Sequence, residues 1–149
     1  DVAFSQLGAN PSLPALLGNG FLAITFEAND GTGAVERYQG IVPLEGDTLA
    51  EACESYFVQS EQVPTVLRVA SATRGETSSA AGLLIQHLAD GEEGRERLHV
   101  RLDHPDWEHV QTLASTISHS ELLDKELSME AIAWRLFHEE QEIRSQPIA

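Results

Sequence analysis

The sequence predicts an α+β fold: a mainly antiparallel β-sheet core with a crossing helix, followed by a helical linker packed on the sheet. Three observations predict it. Short runs rich in Val, Ile, Phe and Tyr recur between Gly, Asn and Pro clusters, which suits strands joined by turns. One apolar stripe of helical period sits among them at residues 49–57. Near Asp90 the run DGEEGRER, without an apolar side chain, separates this region from one whose apolar residues recur only at helical spacing.

In chain order, residues 1–20 read as a loop-like lead, with Pro11, Pro14 and the turn Gly18-Asn19-Gly20. Residues 21–27 alternate, with Leu22, Ile24 and Phe26 on one side and Phe21, Ala23 and Thr25 on the other. Both sides are fairly apolar, which predicts an inner strand with cover on each face. The turn formers Asn29 to Gly33 join it to a second strand over 35–42 in an antiparallel hairpin. Asp47 is the expected N-cap of the crossing helix. Leu49, Ala52, Cys53, Tyr56 and Phe57 form its inward stripe, and Pro64 stops it. Residues 66–72 and 81–88 predict two further strands, with a polar loop over 74–79 between them.

Beyond Asp90, Asp103 or His104 caps a helix that has Pro105 at its first position and Asp106 and Glu108 in its first turn. Its stripe is Trp107, Val110, Ala114 and Ile117. A turn over 120–123 leads to Ser128, the cap of a second helix striped by Met129, Ile132, Ala133, Leu136 and Phe137, with Trp134 at the edge. Helices of about three turns do not persist alone in water, so they must pack on the sheet or unfold.

Composition excludes several function classes. Twenty-four acidic residues against nine basic ones give a net charge of −15, which disfavours nucleic acid, whose phosphates need clustered Lys and Arg, and repels anionic membrane. No run approaches the roughly 20 apolar residues of a membrane span, and no signal peptide is visible. A lone cysteine cannot form an internal disulfide, which fits the cytoplasm.

No chemical motif stands out. Cys53 lies in the middle of an apolar stripe, which reads as a buried structural thiol; an enzyme using Cys53 would need a neighbouring base and exposure. The six histidines lack the i, i+4 pairing of a helical zinc site. Glu92-Glu93 and Glu139-Glu140 lie in polar runs and read as solvated surface. Arg37 and Arg68 fall on strands, where pairing with a neighbouring Glu is the plain role.

The segment ERYQGIVPLEGDTLAEACESYFVQSEQVPT, residues 36–65, resembles the 33-kDa heat-shock protein family, the redox-regulated holdase chaperones of bacteria. LLGNGFLAITF, AAGLLIQ and AWRLFHEE resemble it too, in the family's order, so the likeness covers most of the chain. The resemblance implies a β-rich core, then a helical linker, then a small zinc domain holding the metal through a C-x-C and a C-x-x-C. It implies that oxidation forms two disulfides and releases zinc. The linker then unfolds, and the protein dimerises and holds unfolding client proteins without ATP. On this reading residues 1–90 are the later part of the core and 91–149 are the linker. The chain opens without Met and is expected to be a piece of a longer protein, with the zinc domain following Ala149. Zinc is then expected in the full-length protein, with no cofactor or metal ligand in these residues, no enzyme activity, and a homodimer as the active form.

The expected function is an ATP-independent chaperone whose linker helices cover an apolar sheet face. The candidate client-binding or lid contacts on the strands are Leu22, Ile24, Phe26, Tyr38 and Ile41. On the helices they are Trp107, Val110, Ile117 and Ile132, followed by Trp134, Leu136 and Phe137. The alternatives are an inert scaffold or dimerisation module, and a small-molecule enzyme using Cys53.

Overall fold

A computed structural model describes residues 11–29, 35–88 and 105–139. The element order is α1 (Leu13–Leu17), β1 (Phe21–Asn29), β2 (Val35–Pro43), α2 (Leu49–Ser60), β3 (Thr65–Arg74), β4 (Thr77–Gln86), α3 (Pro105–Ser115), α4 (His119–Leu122) and α5 (Met129–Phe137). The α+β class with antiparallel strands holds. The four strands, however, form two separate two-stranded sheets, β1-β2 and β3-β4, and not one. Alternation and turn residues specify which neighbours in sequence pair. They carry no information about pairing between hairpins, which is a long-range event.

The chain divides into two compact units. The first holds α1, the β1–β2 hairpin and α2. The hairpin runs in register from Phe21↔Pro43 to Asn29↔Val35, with Phe26 opposite Tyr38 and Ile24 opposite Gly40. The face carrying Ile24, Phe26 and Gly40 meets α2: Phe26 stacks on Tyr38 with ring centroids 6.1 Å apart, and Tyr56 lies 6.5 Å from Phe26. Tyr56 is fully buried. Its ring reaches β2 because residue 40 is glycine; a Cβ there would collide with the Tyr56 hydroxyl and lie 2.8 Å from its Cζ. The hydroxyl donates to Glu61 Oε1 at 3.2 Å, and burial pushes its pKa up.

Several expectations change in this unit. The opposite hairpin face is uncovered, with Phe21 75% and Ile41 61% exposed, so β1 is not an inner strand. Apolar residues on both sides cannot by themselves distinguish an inner strand from one with a bare face. The N-cap of α2 is Thr48, not Asp47: Thr48 Oγ1 accepts from Glu51 N at 3.2 Å, and the Glu51 carboxylate reaches back to the Thr48 and Asp47 amides. Both residues are good caps, and the glutamate three places on selects Thr48. Leu49 is exposed and Cys53 half-buried, so the inward stripe narrows to Ala52 and Tyr56 with Phe57 beside them. The lead contains α1, a short helix whose Ser12 cap accepts from Ala15 N at 3.4 Å.

The second unit holds most of β3 and β4 together with α3, α4 and α5. The expected polar loop over 74–79 is a two-residue turn, Gly75-Glu76, with strand on either side. Gly75 has φ +59° at the first turn position, where a type II′ hairpin needs glycine. The expected turn over 120–123 contains α4, closed by a capping box between Ser118 and Glu121. The expected cap of α3, the 30–34 turn, the boundary at 90–97 and the tail from residue 140 lie outside the described residues.

Candidate functional site

Side chains of a strand alternate between faces. In β3, Val66 and Ala70 are buried and Ala72 half-buried, while Val69 between them is exposed. In β4, Ala81, Leu83 and Ile85 are half-buried and Leu84 is exposed. One face of this hairpin is therefore covered, and the three helices cover it.

The cover has two parts. Near the open end of the hairpin, Trp107 and Ala114 of α3 pack with Val66, and Val110 and Ile85 close around them. Trp107 is only 4% exposed. Further along, Ile117, Leu122, Ile132 and Leu136 cluster with Ala70. Ala81, Leu83, Leu123, Leu127 and Phe137 pack against that cluster. The helical spacing of Trp107, Val110 and Ala114, and of Ile132 and Leu136, aims these side chains at the strands.

Polar bonds fix the ends of the helices. Ser118 Oγ accepts from Glu121 N at 3.2 Å, and Glu121 Oε2 accepts from Ser118 N at 2.8 Å. The Glu121 carboxylate also receives Arg135 Nε of α5 at 2.6 Å. Arg135 reaches on to the Thr116 carbonyl, at 3.3 Å, just past the end of α3. Ser128 caps α5, as expected, accepting from Ala131 N at 3.2 Å. Hydrogen bonds from Ser118 backbone and side chain, with Arg135 beside it, hold the Glu121 carboxyl below its ordinary value. Glu130 is lowered by its backbone N–H and by Ser128.

Of the helix candidates, Trp107, Val110, Ile117, Ile132, Leu136 and Phe137 all lie in the cover. Trp134 does not: it is 63% exposed and its ring sits 5.9 Å from that of His138. A place at the edge of a stripe left its burial undecided, and its neighbours Ile132 and Leu136 take the inward positions. The strand candidates lie in the first unit. Leu22 and Ile24 are half-buried, Phe26 and Tyr38 stack, and Ile41 faces outward. The strand residues that the helices do cover, Val66, Ala70, Ala81, Leu83 and Ile85, were absent from the candidates. Their signal was present as two-residue alternation in both strands.

Cys53 is half-buried on α2, and its thiol pKa is raised by burial first and by Glu54 second, the opposite of what a nucleophile needs. Arg37 pairs with Glu27 at 2.5 Å. No three of His, Cys, Asp and Glu converge on a metal position among the described residues.

The "Hsp33 protein" family model matches residues 3–148. The chain belongs to the Hsp33 family. A 33 kDa chaperonin of Enterobacter sp. (strain 638) is 43% identical over 130 residues, covering 87% of this chain and 39% of that protein. One from Caulobacter vibrioides (strain NA1000 / CB15N) is 38% identical over 142 residues, covering 93% and 44%. The Hsp33 crystal structure from Thermotoga maritima aligns with a TM-score of 0.59 at 19% identity, over 87% of this chain and 40% of that one, which shows a shared fold. The chain therefore spans about two fifths of the length of these Hsp33 relatives. No helix among the described residues is long and apolar enough to cross a membrane.

Proposed function

We propose that this chain is the part of an ATP-independent holdase chaperone in which helices α3–α5 cover an apolar strand face and release it to bind unfolding proteins. One observation carries the reading: Trp107, Ile132 and Leu136 are spent on covering Val66, Ala70 and the inner face of β4. A helical cover of this size is held by packing and a few caps. Residues 91–149 also carry 13 acids against 6 bases, a charge that opposes compaction. Names of relatives support the chaperone class.

The family resemblance extends the proposal to the intact protein. There, oxidation governs release of the cover, the active form is a homodimer, the setting is the bacterial cytoplasm, and the chain is not an enzyme. Residues 1–90 act as core and 91–149 as linker.

Light scattering of a heat-denatured client tests it. Trp107→Ala opens the cover, so the client should stay in solution better than with the native chain, while Trp134→Ala should change nothing. If circular dichroism finds the helices lost in Trp107→Ala and the client aggregates as before, the covering role is wrong.

A further inference from the structure

The described residues hold five basic side chains: Arg37, Arg68, Arg74, Lys125 and Arg135. Arg37 and Arg135 pair with glutamates, and Arg68 bonds the Leu67 carbonyl at 3.1 Å. The other two, Arg74 and Lys125, make no ion pair among the described residues. Both are exposed, as expected of unneutralised cations in a chain this acidic. They also line one and the same cavity, of about 450 Å³, at the turn end of the β3–β4 hairpin, with Ala72, Thr77, Ser79 and Leu123. Among the described residues no carboxylate lines it. Lys125 has acids on both sides in sequence, but Asp124 Oδ1 accepts from Glu126 N at 2.9 Å and so caps its own turn.

We propose that this cavity binds a small oligophosphate. An arginine fork and a lysine ammonium supply the two charge-assisted donors that phosphate oxygens take best. The Thr77 hydroxyl adds a neutral donor, while the Ser79 hydroxyl donates to the Ala72 carbonyl at 3.5 Å. The volume is that of a small-molecule pocket, larger than one orthophosphate needs. The overall negative charge repels anions at long range, but salt screens it beyond about 8 Å. Arg74 ends β3 and Lys125 lies between α4 and α5. If the cover reading also holds, a ligand touching both ties the helices to the hairpin.

Lys125 is the chain's only lysine. Reductive methylation with carbon-13 labels it, keeps its charge and gives one side-chain NMR signal distinct from the terminal amine. Titration with sodium triphosphate should shift that signal saturably, with pyrophosphate weaker and orthophosphate weaker still. Arg74→Gln, with unchanged circular dichroism, should weaken triphosphate about tenfold or more, the loss of one hydrogen bond to a charged group. Thr77→Val should weaken it less. No saturation at millimolar triphosphate, an equal affinity in Arg74→Gln, or an equal response to succinate would overturn the assignment. The readout needs no client, so its failure is separable from failure of the chaperone reading.

Discussion

Arg135 on α5 lies 2.6 Å from the Glu121 carboxylate, the same carboxylate that closes the capping box of α4. One side chain thus joins all three helices of the cover, because Arg135 also bonds the Thr116 carbonyl beyond α3. Arg135→Met keeps much of the stem and removes these bonds. It should lower the helical signal of the second unit and speed trypsin cutting there, without altering the aromatic cluster around Tyr56. Near-ultraviolet and far-ultraviolet circular dichroism together report the difference.

The same carboxylate gives the cover a sign of pH dependence. Glu121 and Glu130 titrate below their ordinary values in the folded chain. Their stabilisation is fully present above the unfolded carboxylate pKa, about 4.3, and is lost as pH falls through the lower folded values. Helix content should hold from neutral pH down to that range and fall below it. Glu121→Gln should flatten that acid step; an identical step in the variant would assign it to other groups.

The two tryptophans should part company. Trp107→Ala removes a buried ring and should cost about 3–5 kcal/mol, a large share of a small domain's margin. Trp134→Ala removes an exposed one and should stay within about 0.5 kcal/mol. Urea denaturation followed by circular dichroism checks both.

Both stripes were legible in the sequence because helical spacing is a local signal. Which residue of a stripe faces inward was not. Ile132 and Leu136 are buried while Met129 and Trp134 are exposed, a choice made by the strands beneath. In the same way, Ser128 was readable as a cap, but the Ser118–Glu121 box was read as a turn because α4 has only four residues. The β3–β4 face was less legible: Leu22, Ile24 and Phe26 give an apolar run with large side chains, whereas Val66, Ala70 and Ala81 carry smaller ones. Small residues are what a strand needs where helices lie close.

Gly40 is predicted to be the intolerant position of the first unit. Gly40→Ala drives a methyl into the Tyr56 hydroxyl and Ser60 Oγ. Overpacking of this kind costs about 1–3 kcal/mol. Adding Tyr56→Phe should recover part of that loss, a coupling that a double-mutant cycle in urea measures. Strict additivity would mean that the two residues do not press on each other.

Cys53 should resist labelling by a thiol reagent in the folded chain and react when denaturant is added, since burial and Glu54 both raise its pKa. Fast labelling without denaturant would revive the enzyme alternative.

Native-state hydrogen exchange across rising urea measures whether the cover comes off. The amides of α3 and α5 should exchange through an opening smaller than global unfolding, at lower urea than those of β3 and β4 beneath them. Those of β1, β2 and α2 should stay protected. If α3 and α5 exchange only when β1, β2 and α2 do, in a single event, the helices are fixed core and no apolar face is ever released.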